Sequence, residues 1–202
     1  MKPPYTQLLV LACCLFPLWP VAAMSDKEIV ATINKVVMKV TGGDVAALDD
    51  LKTLPSDTTV AAALMFFSQN FYVFRKTKQN GVVAAKTAEL ATSAPTSELY
   101  LKNMLKKQPV KPNNKMLHQR DTGIDCMVFI HNKVAVRVFG ELLSDPELAI
   151  PIGTVSTSLA DMNLAGAPYS AKTRNDAKTP EAVAKWKEWW EANKSQYAEP
   201  PK

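Results

Sequence analysis

Cysteine and histidine are scarce in this sequence. Three cysteines and two histidines occur in 202 residues, and Cys13 and Cys14 both lie within the first 23. Cys126 is the only cysteine beyond them, so that part of the chain cannot form an intramolecular disulfide and must depend on packing for stability. The sequence also lacks a Gly-x-Ser-x-Gly motif, a phosphate-binding glycine loop and a His-Glu-x-x-His motif. These absences argue against an enzyme of a familiar class.

Long apolar runs are also missing after the N-terminus. The one run of this kind, from Leu8 to Trp19, follows a short positive segment at Lys2 and precedes the small residues Val21-Ala22-Ala23. This order predicts a secretory signal peptide over residues 1–23. The run is shorter than the roughly 20 apolar residues that a membrane-spanning helix needs. We therefore expect no transmembrane helix in the mature chain.

A signal peptide predicts a periplasmic or secreted protein. Within it, Val10-Leu11-Ala12-Cys13 resembles a bacterial lipobox, which gives a lipoprotein anchored at Cys13 as the alternative. We favour the soluble exported form, because the residues after Cys13 stay apolar where a lipoprotein turns polar.

The charge of the chain is mildly positive and unevenly distributed. The formal net charge is +5, and it becomes +4 without residues 1–23, where one of the 24 basic residues lies and none of the 19 acidic ones. This is far from the dense basic face that specific nucleic-acid binding requires. One stretch, however, has six basic residues and no acidic one: Lys102, Lys106, Lys107, Lys111, Lys115 and Arg120. We interpret it as a candidate surface for a protein or an anionic surface polymer. The alternative is a solvated helix end and linker.

Helical spacing of apolar residues dominates the first half. Ser25-Asp26-Lys27-Glu28 reads as a capping box that opens a helix, which Gly42-Gly43 ends. Asp44 then begins a short helix that stops at Pro55. The clearest amphipathic pattern follows and predicts a central helix: Val60, Leu64, Phe67, Phe71 and Phe74.

Further helices are predicted from Val82 to Leu90, after a turn at Asn80-Gly81, and from Ser97 to Lys107. Residues 108–114, Gln-Pro-Val-Lys-Pro-Asn-Asn, form the best internal linker of a single helical domain that spans 24–202. Beyond it, residues 126–139 are rich in β-formers around a turn-like His-Asn pair, so a β-hairpin competes with helix there. We predict helix, because the apolar residues that follow keep helical spacing: Val134, Val138, Phe139 and Leu142.

One cluster of residues with catalytic or metal-binding chemistry exists in the sequence. His118, Asp121 and Asp125 share a helical face beside Cys126, and His118 or His131 would be the base for a Cys126 nucleophile. The spacing matches no strong zinc pattern, and Met127-Val128-Phe129 indicates a core thiol. We therefore predict no metal and no cofactor, with an exported enzyme or metal-binding protein built on this cluster as the alternative function.

The final helix carries most of the tryptophan. Thr179 is a candidate N-cap, Pro180 fits the first helical position, and the aromatic residues Trp186, Trp189, Trp190 and Tyr197 lie largely on one face. Each tryptophan can bury about 150–250 Å², which predicts that this helix covers a preformed surface. A binding platform for a partner, formed by Trp186, Trp189 and Trp190, is the competing interpretation.

Two segments carry a family resemblance. Residues 136–150 look like the second helix of a HEAT-like repeat followed by an Asp-Pro turn. Residues 186–194, Trp-Lys-Glu-Trp-Trp-Glu-Ala-Asn-Lys, are similar to the tryptophan-rich helix that ends several bacterial HEAT-like proteins. The resemblance implies an all-α fold, a short array of antiparallel helix pairs capped by the C-terminal helix, and no chemistry. We accordingly expect a non-catalytic exported interaction or scaffold domain.

Overall fold

The computed structural model describes residues 24–72, 80–107 and 113–198. In these ranges every regular element is a helix, and the only strand-like pairing is an isolated bridge between Lys106 and Leu148. The predicted all-α class is confirmed, while the HEAT-like pairing of helices stays a prediction. The chain divides into two compact units between Ser97 and Glu98. This boundary precedes the predicted linker, most of which lies outside the described residues.

The first unit contains α1 (Asp26–Thr41), the 3-10 helix η1 (Val45–Thr53), α2 (Ser56–Tyr72) and α3 (Asn80–Ser93). The capping box is present: the Ser25 amide donates to the Glu28 carboxylate at 2.8 Å, and the Ser25 hydroxyl accepts from the Glu28 amide. The α1 helix ends at Gly42, and Gly43 has a φ of 100° that favours glycine. The largest fully buried side chains of the described part of this unit are Leu48, Leu51, Phe66 and Phe67.

Two local predictions in this unit need correction. The short helix predicted after Asp44 is present as the 3-10 helix η1, but the Asp44 side chain makes no capping hydrogen bond. The turn predicted at Asn80-Gly81 is wrong, because α3 begins at Asn80. Asn-Gly is a hairpin signal when strands flank it, but here the segment that follows is helical and both residues are tolerated at a helix start. Phe74 lies outside the described residues.

The second unit contains most of α4 (Ser97–Leu105), with α5 (Asn114–Ile130), α6 (Lys133–Leu142), α7 (Ile152–Asp161) and α8 (Pro180–Tyr197). The predicted helix at 126–139 is confirmed and the β-hairpin is not formed. The His-Asn pair instead divides two helices: His131 caps α5 in the left-handed region, with a φ of 35°, and the Asn132 side chain accepts from the Ala135 amide.

Backbone hydrogen bonds hold two connecting segments of this unit together. The Lys107 amide donates to the Glu147 carbonyl at 2.7 Å, and the Ala149 amide donates to the Leu105 carbonyl at 2.9 Å. These bonds join the end of α4 to the loop between α6 and α7. Two short 3-10 helices, η2 (Ala171–Thr173) and η3 (Asp176–Lys178), follow α7 and lead into α8.

The α8 helix packs its aromatic face into this unit. Thr179 caps it by accepting from the Ala182 amide at 3.1 Å, and Pro180 is its first residue. Trp186 is fully buried, and Trp189 and Trp190 are only 8% and 7% exposed. The burial predicted for the three indoles is confirmed. They belong to the core of the second unit, and the helix that carries them contacts α6, α7 and η3.

In the described ranges, every helix is too short or too polar to cross a membrane.

Candidate functional site

A groove opens in the second unit where α6 and α8 end. Its volume is about 640 Å³. One wall comes from α6 and the turn after it, and the other from the last two turns of α8: Arg137, Gly140, Glu141 and Ser144, then Trp190, Glu191, Lys194, Ser195 and Ala198. The groove therefore combines charged, hydroxyl and aromatic side chains from two segments that are more than forty residues apart in sequence.

The floor of the groove depends on the contact of Gly140 with Trp190. A Cβ atom added at Gly140 would lie 2.3 Å from Cδ2 and 2.4 Å from Cε3 of the indole, far inside van der Waals contact. Only a residue without a side chain lets the ring approach the α6 backbone this closely. The absence of a side chain at position 140 thus sets the depth at which Trp190 lies.

Arg137 fixes the inner end of the groove. It is 8% exposed, and its Nε donates to the Glu98 carboxylate at 2.8 Å, with Nη2 2.7 Å from the same oxygen. Its Nη1 donates to the backbone carbonyl of Tyr197, in the last turn of α8. A buried guanidinium therefore binds both α4 and an otherwise unpaired carbonyl at the end of α8.

A second cation extends this pair into a network. Lys102 donates to Glu98 at 2.8 Å and also pairs with Glu141 on the groove wall. Burial acts to raise the pKa of Glu98, but the hydrogen bonds from Arg137 and Lys102 outweigh it and hold that pKa below its ordinary value. Burial likewise opposes the charge on Lys102, yet bonds to Glu141 and Glu98 raise its pKa overall. Glu98 and Lys102 thus stay ionised at neutral pH.

The rim of the groove is accessible to a partner. The side chains of Glu141, Glu191 and Lys194 are 45%, 65% and 54% exposed, and Lys194 pairs with Glu191. Ser144 and Ser195 add hydroxyl groups at the surface. The lining groups can form hydrogen bonds, ion pairs and contacts to an aromatic ring, which is the chemistry of a binding surface.

Four of the six residues of the basic stretch bind carboxylates or carbonyls of the same unit. Lys102 belongs to the network above, Lys106 pairs with Asp145 at 2.8 Å, and Lys107 donates to the Pro146 carbonyl. Arg120 is 5% exposed and donates to the carbonyls of Met104 and Lys106, at the end of α4. Lys115 lies half-buried on α5, and Lys111 lies outside the described residues. The carboxylates that pair with Lys102 and Lys106 therefore offset part of the positive charge that the sequence predicts here.

The candidate cluster on α5 is divided between solvent and core. His118, Asp121 and Asp125 are exposed, whereas Cys126 is fully buried. Burial, followed by the charge of Asp125, raises the pKa of the Cys126 thiol to about 12. Burial and the nearby Asp121 raise the pKa of Asp125. In the described part of the chain, no three histidine, cysteine or acidic side chains are grouped so that they could hold a metal ion.

Of the three tryptophans proposed as a platform, only Trp190 lines the groove. Arg137, Gly140, Glu98 and Glu141 were not among the site residues predicted from the sequence. One signal was available: Arg137 is a single charge inside the apolar run Val134-Ala135-Val136-Arg137-Val138-Phe139, where a buried arginine needs a specific partner.

Comparison with known proteins gives no relative, since no family model, curated protein or solved structure matches the chain.

Proposed function

We propose that this protein is an exported, non-catalytic interaction domain whose partner protein binds in the groove between α6 and α8. The observation that carries the proposal is the groove itself, about 640 Å³ in volume, with a buried arginine at its inner end and an indole as its floor. Aromatic and arginine side chains are the residues that most often supply the binding energy at protein interfaces.

The rigidity of the groove walls supports the same proposal. Arg137 donates to a carbonyl in the last turn of α8, and the absence of a side chain at Gly140 lets the Trp190 ring pack directly on the α6 backbone. Walls that are ordered before binding lower the conformational entropy that this protein loses when a partner binds. The resemblance to HEAT-like proteins agrees with a binding role, because it implies stacked helices and no chemistry.

The proposal of export rests on the sequence of residues 1–23 and places the mature N-terminus at Met24. A mass spectrum of the protein from the periplasm or the culture medium tests it. The expected mass is that of residues 24–202, whereas an intact or lipid-modified N-terminus at Cys13 would contradict soluble export.

Site-specific photocrosslinking in intact cells tests the binding site. A photoreactive amino acid would replace Ser144 or Ser195 on the groove wall, and as a matched control it would replace Lys172, an exposed residue of the same unit that does not line the groove. We expect the same crosslinked protein from both groove positions and none from position 172. A partner captured equally well at position 172, or absent at both serines, would contradict the proposed site.

A further inference from the structure

The inference concerns Glu98, a residue outside the groove lining, and it rests on the function proposed above. Glu98 lies in the first turn of α4. Its carboxylate nevertheless contacts two residues that reach the groove. Oε2 accepts from Arg137 at the inner end, and Oε1 accepts from Lys102, which also pairs with Glu141 on the α6 wall.

The shape of the Arg137 guanidinium makes its contact with Glu98 directional. Oε2 of Glu98 accepts from Nε at 2.8 Å and lies 2.7 Å from Nη2, so it engages one edge of the group. The guanidinium is planar, and its donors form a rigid fork. When Nε and Nη2 are held, the direction of the third nitrogen, Nη1, is fixed as well. This nitrogen donates to the Tyr197 carbonyl.

The Tyr197 carbonyl lies at the end of the helix that forms one wall of the groove. The last four carbonyls of an α-helix have no partner within the helix. Tyr197 is the last residue of α8, and the groove-lining residues Ser195 and Ala198 are within two residues of it. Its ring centroid also lies 6.1 Å from that of Trp190, the floor of the groove. The bond from Arg137 therefore holds the part of α8 that forms this wall.

Arg137 has other anions within its own groove. The carboxylates of Glu141 and Glu191 belong to the same lining, and their side chains are 45% and 65% exposed. An arginine side chain released from Glu98 is able to turn toward either of them, and its bond to the Tyr197 carbonyl is then lost. We infer that Glu98 is a positioning residue: by orienting the Arg137 side chain, it places the last turn of α8 for partner binding.

Hydrogen exchange measured by NMR tests this inference on the chain from Met24 onward, without a partner. Glu98→Met keeps the approximate size of the side chain and removes both acceptor oxygens. We expect the backbone amides of residues 195–197 to exchange about tenfold faster relative to those of Trp186 and Trp190, because the end of α8 opens locally. A residue that contributed only to global stability would accelerate the two tryptophan amides at least as much.

Two conservative variants separate hydrogen-bond geometry from charge. Glu98→Gln loses the charge but keeps an acceptor oxygen within reach of Arg137, so the last turn should exchange within about threefold of the parent. Glu98→Asp keeps the charge but withdraws the carboxylate by one methylene group, so its last turn should exchange faster than that of Glu98→Gln. General electrostatics predicts the opposite order. This comparison also decides the question if Glu98→Met does not fold.

Glu188→Met is the matched control, because it makes the same substitution at an exposed position of α8 outside the groove lining. The exchange of residues 195–197 should be unchanged in it. Photocrosslinking from Ser195 then connects position to binding. At equal protein levels, Glu98→Met should lower the yield of crosslinked partner about tenfold, and Glu188→Met should leave it unchanged.

Three results would overturn the inference: an unchanged last turn in both Glu98→Met and Glu98→Asp, equal acceleration along the whole of α8, or an undiminished crosslink from Ser195. In each case a partner still crosslinked from the groove serines of the parent chain would leave the proposed binding function standing. If neither serine of the parent chain crosslinks a partner, the proposed function fails, whereas the exchange rates still decide whether Glu98 positions the end of α8.

Discussion

Gly140 and Trp190 are in contact across α6 and α8, so close that a Cβ atom at position 140 would lie 2.3 Å from the indole ring. This contact joins the buried aromatic face of α8 to the wall of the groove. It also explains why a glycine is retained inside a helix, where it costs about 1 kcal/mol relative to alanine.

Gly140→Ala is expected to destabilise the protein by about 1–3 kcal/mol, because the added methyl group must displace a packed indole and this outweighs the gain in helix propensity. Urea denaturation of the variant and the parent chain measures the difference.

Gly81→Ala is the matched control. A Cβ atom at Gly81 meets no atom within 4 Å, and the residue lies in the first turn of α3. We expect no loss of stability and a gain of up to about 1 kcal/mol. If Gly140→Ala were as stable as Gly81→Ala, the close packing of Trp190 would be disproved.

Arg120 is expected to act in stability rather than in binding. Its replacement by methionine leaves the half-buried carbonyls of Met104 and Lys106 without this donor, and should lower the free energy of unfolding by about 1.5–3 kcal/mol. Lys133→Met, which changes an exposed cation at the start of α6, should cost less than about 0.5 kcal/mol. Thermal unfolding monitored by circular dichroism distinguishes the two, and equal effects would contradict the assigned role of Arg120.

The Cys126 thiol is expected to be inert in the native protein. Its pKa of about 12 leaves almost no thiolate at pH 8, and its side chain is fully buried. A colorimetric disulfide reagent should therefore react with it only after denaturation. The accessible control is Asp121→Cys in a Cys126→Ala background, which should react at once in the native state. Rapid labelling of native Cys126 would instead revive the nucleophile hypothesis.

Acid should weaken the bonds that Glu98 makes. Its pKa is lower in the folded protein than the ordinary value of 4.5, so these bonds contribute their full stability above that value and lose it as the pH falls through the folded pKa. Chemical denaturation from about pH 6 to about pH 3 should show a loss on the order of 1 kcal/mol that Glu98→Gln does not share.

The control for this pH dependence is Glu188→Gln, an exposed residue of α8 with no ion pair in the described part of the chain. Its acid loss should match that of the parent. An unchanged pH dependence in Glu98→Gln would show that the carboxylate is not stabilised by its partners.

Local signals in the sequence were sufficient for most helix boundaries. The capping box at Ser25, the glycines after α1 and the Thr179-Pro180 start of α8 all act through neighbours a few residues away, and all are present in the structure. At 126–139 the helical spacing of apolar residues was the better guide, and β-propensity alone would have given strands. Propensity is a weak guide where tertiary packing decides.

The groove could not be predicted in the same way. Its charge network joins Glu98 to Arg137, and Arg137 to the carbonyl of Tyr197, across gaps that no local pattern records. The basic stretch shows the same limit: six cations without an acidic neighbour in sequence predict a positive surface, yet Asp145, Glu98 and Glu141 approach it in space.

Tryptophan fluorescence tests the central claim most directly, since residues 24–202 contain no tryptophan besides the three on α8. If these indoles form the core of the second unit and the floor of its groove, the emission of the native chain will be blue-shifted from that of free tryptophan, and acrylamide will quench it only weakly until the protein unfolds. Native emission and quenching equal to those of the unfolded chain would contradict the account.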